Sequence, residues 1–143
     1  MGHVRSDGCD LYYEEAGTGV PILLIPPAGT TATTWGPVTG DLARIGRVIT
    51  YDRRGYARSV SQPVRSVSRH TFDAAALLEH LQAAPAIVVG TSAGATIAID
   101  LAVRRPDLVQ AVIAHEAAWR AIRHLPNRSQ LACLLYTSPS PRD

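Results

Sequence analysis

The residues Gly90-Thr91-Ser92-Ala93-Gly94 carry the clearest chemical signal in the chain. A serine hydroxyl can attack an acyl carbon when it sits on a tight strand-to-helix turn. Its oxygen is exposed there, and the N-terminus of the following helix can stabilise developing negative charge. Such a turn crowds its own backbone, and glycine two positions to either side relieves the crowding. Gly90 and Gly94 occupy those positions around Ser92. The plain alternative is a Gly/Ser loop before a helix, and the flanks separate the two readings. The pattern follows Ala86-Ile87-Val88-Val89, an apolar run suited to a strand buried on both faces of a parallel sheet. It precedes an alanine-rich stretch, Ala93 to Arg105, that reads as a helix stopped at Pro106.

The elements that must position this turn alternate between strand-like and helix-like along the first 116 residues, which predicts an α/β fold. Leu11 to Ala16, after a turn at Asp7-Gly8, reads as a half-polar strand, and Pro21 to Ile25 as an apolar neighbour. Trp35, Val38, Leu42 and Ile45 share one face of a short helix that Gly46 ends. Arg47 to Tyr51 is the next strand. A basic, turn-rich stretch then leads to a helix from Phe72 to Ala83, capped by Ser68 or Thr71 and followed by Pro85. Leu108 to Ala114 is a last strand, and Ala117 to His124 starts a helix that Pro126-Asn127 breaks.

Composition fits one ordinary soluble domain: 143 residues, 46% hydrophobic and 18% charged. The net charge of +2 is spread without a like-charge run longer than a pair such as Arg53-Arg54, so no nucleic-acid partner is expected. The longest apolar run, Val20 to Pro27, is far shorter than the roughly 18 residues of a membrane span. The N-terminus has no apolar stretch behind its charges, so no secretory signal is read and a cytoplasmic location is expected. Cys9 and Cys133 have no Cys or His at metal-ligand spacing, so neither a metal nor a disulfide framework is expected.

Two further segments, together with the serine turn, resemble the serine-nucleophile branch of the α/β-hydrolase superfamily. Ile25-Pro26-Pro27-Ala28-Gly29, with Trp35 downstream, resembles the family's oxyanion loop. Prolines stand there at the usual His-Gly positions, and proline has no N–H to donate. The resemblance therefore implies the Ala28 N–H as one oxyanion donor and the Ala93 N–H as the second, with a rigid proline turn as the alternative for the first segment. Tyr51-Asp52-Arg53-Arg54-Gly55-Tyr56-Ala57-Arg58-Ser59 resembles the family's D-x-R-G-x-G-x-S segment, with Ala57 in place of the second glycine and an implied structural role. Ser92 is then the catalytic nucleophile and Gly90 and Gly94 the glycines of the nucleophile elbow. The implied activity is hydrolysis of an ester, amide, lactone or related small-molecule acyl substrate, with no cofactor. Serine rather than aspartate at the elbow argues against epoxide hydrolase or dehalogenase chemistry. Cofactor-free haloperoxidase or acyltransferase relatives, and a non-catalytic ligand-binding protein on the same fold, stay open.

The resemblance covers about residues 10 to 116, only the first half of a typical family member. The expected fold is thus a truncated α/β-hydrolase fold, a mostly parallel sheet with flanking helices, lacking the last strands and any cap. In the family the acid and histidine of the triad follow the serine, the histidine on a late loop. None of His3, His70, His80, His115 and His124 has that place, and each reads as structural. Glu116, after the strand next to the elbow strand, is a candidate acid or a pocket residue. Residues 133–143 form a Pro- and Ser-containing tail without a strand or helix pattern. It resembles the conceptual translation of a transposon-end sequencing adapter, so residues 1–132 are expected to be native and 133–143 artefactual, the alternative being a real Pro- and Ser-rich disordered tail. Without a base the chain itself is expected to be inactive, with an open apolar edge along its last strand.

Overall fold

In the computed structural model, which describes residues 1–118 and 134–136, the chain forms a seven-stranded sheet. Its strands are β1 (Gly2–Ser6), β2 (Cys9–Ala16), β3 (Pro21–Ile25), β4 (Arg47–Tyr51), β5 (Ala86–Thr91), β6 (Val109–His115) and β7 (Leu134–Tyr136). They lie in the order β1-β2-β4-β3-β5-β6-β7. The first three in that order meet antiparallel, and every later pairing is parallel. The helices are α1 (Gly36–Leu42), entered through a 3-10 turn at Ala32–Trp35, α2 (Val67–His80) and α3 (Ala93–Arg104).

The pleat sorts the apolar residues to two sides. Leu23, Ile25, Ile49, Tyr51 and Val88 face α2 and α3 in the main core. Ile22, Leu24 and Val48 face the other way, against Trp35 and Leu42 at α1. Alternate residues of one strand thus enter opposite cores, which is why the strands read as unbroken apolar runs.

The strand order contains the feature that makes a site. The chain passes from β3 to β4 on one side and returns to β5 on the other. Loops leaving the carboxyl ends of β3 and β5 therefore diverge, opening a crevice between them. Those are the loops that begin at Pro26 and Ser92.

Several expectations shift. The N-terminal residues form β1, a hairpin partner of β2, which the weak pattern of Gly2–Ser6 does not announce. α2 starts one turn earlier than Phe72, because Ser66, rather than Ser68 or Thr71, accepts the Arg69 N–H with its side chain. β5 is not buried equally on both faces: Ala86 and Val88 are buried, whereas Ile87 and Val89 are half-buried. Beside them Ile113 is 46% exposed, because α1 covers only the β3 and β4 part of that face. The tail was expected to lack a strand, yet Leu134–Tyr136 pairs parallel with Ile113 to His115. Pairing joins backbone groups, and the outer edge of β6 offers unpaired N–H and C=O groups to any extended segment. The expected helix from Ala117 to His124 lies, beyond Ala118, outside the described residues.

Candidate active site

Ser92 joins β5 to α3 with φ 53° and ψ −117°, a conformation that L-residues rarely adopt. Such strain costs on the order of 1–3 kcal/mol and persists only where the surroundings enforce it. Here the Ser92 N–H donates to the His115 carbonyl at 2.9 Å. The Ser92 carbonyl accepts the Thr96 N–H at 3.2 Å and the Thr96 hydroxyl at 3.4 Å. That same hydroxyl accepts the Ala118 N–H at 3.2 Å, tying the turn to the chain after β6. Thr91 adds a hydrogen bond between its hydroxyl and His115 Nδ1 at 3.1 Å. The Ser92 side chain is exposed and makes no capping hydrogen bond.

The two glycines are sterically required. A Cβ on Gly90 would overlap the Gly94 backbone, and one on Gly94 would overlap the carbonyl oxygens of Ile25 and Pro26. The second overlap means that the turn and the loop after β3 touch backbone to backbone. In that loop Pro26 is buried, Pro27 half-buried and Ala28 exposed. The Pro27 carbonyl accepts Arg53 Nη2 at 3.0 Å and the Thr30 hydroxyl at 3.2 Å. Ala93 is the first residue of α3, where backbone N–H groups have no partner within the helix. The fold therefore sets the Ser92 turn and the start of α3 against the Ile25–Pro26 end of the loop that carries Ala28.

The loop after β4 is held by side chains. Asp52, fully buried, accepts the Ala32 N–H at 2.8 Å, the Arg58 N–H at 3.2 Å and Arg58 Nε at 2.6 Å. Burial pushes its pKa up, but the hydrogen bonds from Arg58 and the two backbone N–H groups outweigh this and hold it below the usual carboxylate value. Ala57, where the family pattern has glycine, adopts φ 42°, so the backbone keeps the glycine conformation without the glycine. Arg54 is buried against Asp73 of α2, with Nη2 to Oδ1 at 2.6 Å and Nε to Oδ2 at 2.8 Å. Its Nη2 also donates to the Ser6 carbonyl at 2.6 Å, and the Ser6 hydroxyl donates to Asp73 at 2.6 Å. This network joins β1, the loop and α2.

The histidines sort by environment. His70 is buried, with Nε2 2.9 Å from the Val64 carbonyl and Nδ1 without a partner among the described residues. Burial lowers its pKa first, and the Arg53 charge lowers it further. His3 and His80 are exposed, far in sequence from the crevice loops. His115 ends β6 beside the elbow, and His124 lies outside the described residues. Glu116 is exposed, with φ 53°, directly after β6. Sequence reasoning missed Thr96, Arg53 and Asp73. Only Asp73, a charge among apolar residues in Phe72-Asp73-Ala74-Ala75-Ala76, offered a signal. Among the described residues no cluster of His, Cys, Asp and Glu could hold a metal ion, and no helix is long and apolar enough to cross a membrane.

The fold agrees with what comparison finds. A model of the alpha/beta hydrolase family matches residues 22–142, and the chain belongs to that family. It is 36% identical over 126 residues to the uncharacterized hydrolase YraK of Bacillus subtilis, covering 86% of this chain and 46% of that protein. It is 34% identical over 113 residues to an epoxide hydrolase of Caballeronia sordidicola, covering 76% of this chain and 34% of that one. Among solved structures, Est816, described as an N-acyl homoserine lactone degrading enzyme, superposes with a TM-score of 0.76 at 34% identity, over 80% of this chain and 45% of its own. The chain thus spans less than half the length of these relatives.

Proposed function

We propose that this chain is the nucleophile-bearing half of a cytoplasmic, cofactor-free serine hydrolase acting on a small ester, amide, lactone or related acyl compound. The observation that carries this reading is the exposed Ser92 hydroxyl on a strained turn at a helix N-terminus, beside the loop that holds Ala28. In the proposed reaction Ser92 Oγ attacks the acyl carbon and gives its proton to a base supplied by the rest of the protein. The Ala28 and Ala93 N–H groups receive the negative charge that builds on the acyl oxygen. The leaving group departs with the proton, and water then cleaves the acyl-Ser92 ester. Likeness to a lactone-degrading enzyme supports an acyl substrate. Serine at the elbow argues against the chemistry named for the epoxide hydrolase relative, which in this fold uses a carboxylate nucleophile.

A longer protein is part of the proposal, with residues 133–143 foreign to it. Half-buried Ile87 and Val89 beside exposed Ile113 support this, since that sheet face awaits cover. The test is p-nitrophenyl ester hydrolysis by the full-length protein. Ser92→Ala should lower kcat at least about 10³-fold, and retained turnover sinks the reading. The 143-residue chain alone should neither turn over nor take a Ser92-dependent fluorophosphonate label.

A further inference from the structure

Two neighbouring arginines leave β4 for opposite tasks. Arg54 meets a carboxylate, as a buried cation should. Arg53, only 3% exposed, has a neutral acceptor instead: its Nη2 donates to the Pro27 carbonyl at 3.0 Å. Its guanidinium lies 4.8 Å from the centre of the Tyr56 ring, and its Nε has no partner among the described residues. His70 and Tyr51 share its surroundings: burial lowers the His70 pKa and the Arg53 charge adds to this, while burial raises the Tyr51 pKa and the Arg53 charge only partly opposes it. A buried charge given a peptide carbonyl as its hydrogen-bonded acceptor strongly polarises that peptide.

That peptide is the one joining Pro27 to Ala28. A trans peptide is planar, with C=O and N–H pointing in opposite directions. The only cis bond among the described residues is Ala84-Pro85. With the Pro27 oxygen drawn inward by Arg53 and Thr30, the Ala28 N–H is turned the other way, toward the exposed side of the loop. Electron density drawn to the oxygen by two donors, one of them charged, leaves the N–H a stronger donor.

We infer that Arg53 is a positioning residue of the oxyanion site: through the Pro27 carbonyl it orients the Pro27-Ala28 peptide and strengthens the Ala28 N–H as a hydrogen-bond donor. Thr30 supports it from the second lone pair of the same oxygen. The inference rests on the proposed role of Ala28. It also assigns Arg53 a function separate from that of Arg54, which closes the β1–α2 network.

The experiment compares Arg53→Gln, Arg53→Lys and Thr30→Val in the full-length enzyme, with Ser92→Ala as reference. Each is assayed for ester turnover, affinity for a trifluoromethyl ketone, which becomes an oxyanion on binding Ser92, and affinity for the carboxylate product. Loss of a whole oxyanion donor costs about 10²–10³ in kcat, so weakening one should cost Arg53→Gln roughly two- to tenfold. KM and product affinity should stay within about twofold, and ketone affinity should fall in parallel with kcat. Arg53→Lys, which keeps the charge, should recover part of the loss. Thr30→Val, at a half-buried loop position, should show a smaller loss with the same split. It serves as the decisive variant if replacement of Arg53 prevents folding. Unchanged ketone affinity in the folded variants, or an equal loss of ketone and product affinity, overturns the inference. Full turnover by Ser92→Ala would overturn the underlying serine reading instead.

Discussion

The turn after β5 and the loop after β4 end parallel strands at the same edge of the sheet, yet they are held by different physics. The elbow depends on what is missing: two Cβ atoms at Gly90 and Gly94, with the Ser92 N–H donating to the His115 carbonyl and the Ser92 carbonyl accepting the Thr96 N–H. The loop after β4 depends on what is present: buried carboxylates at Asp52 and Asp73 that gather donors from β1, the loop after β3 and their own segment. Steric exclusion leaves no substitute for glycine. A buried ion network can be replaced by well-packed apolar groups, because its Coulomb gain is largely offset by desolvation.

The sharpest way to break the contrast is Gly94→Val. Its branched side chain would meet the Ile25 and Pro26 carbonyl oxygens, backbone that cannot retreat without moving β3. A loss of at least about 4 kcal/mol in urea unfolding of the full-length protein is expected, with no activity at any pH. Asp73→Ala comes next. Leaving Arg54 buried and unpaired should cost about 3–5 kcal/mol. The double change Arg54→Met with Asp73→Leu should recover most of that loss. Failure of the double variant to recover, in the same urea measurement, would erase the distinction between the two loops.

The smallest effect is a pH dependence. His70 is held below the ordinary histidine value by burial, with Arg53 adding to the effect. Within the buried environment the Asp73 charge and the Val64 carbonyl act the opposite way, and Arg54 the same way as Arg53. The unfolded chain therefore takes up the proton first. Stability is full above about pH 6.5 and declines as pH falls from there toward the lowered folded value. Comparison with His70→Gln isolates the contribution: the gap in unfolding midpoint between the two proteins should narrow from pH 7.5 to 5.5, and parallel profiles would refute it.

Legibility in the sequence follows the same division. The elbow was readable because its requirement is local: strand, two glycines around a serine, helix. The α/β order and β3 and β4 were readable because apolar runs and breakers mark them directly, with bounds matching at Pro21–Ile25 and Arg47–Tyr51. The networks were not. Arg53 reaches a carbonyl 26 residues away, and Arg54 a carboxylate 19 away. No local pattern distinguishes one arginine of the pair from the other. β1 was missed because a two-stranded hairpin edge needs little apolar patterning, and β7 because its partner is an edge rather than a sequence.

The contact of Gly94 with the Ile25 and Pro26 carbonyls has a consequence for how such an enzyme can change over time. The spacing between the proposed attacking oxygen and the proposed charge-receiving amide is fixed by main chain touching main chain, inside this half of the domain. Whatever segments complete the pocket are then free to be exchanged, lengthened or reshaped for new substrates without retuning the reactive distance. A modular division of labour of this kind, with an invariant reaction geometry and interchangeable walls, follows from the absence of a single methyl group.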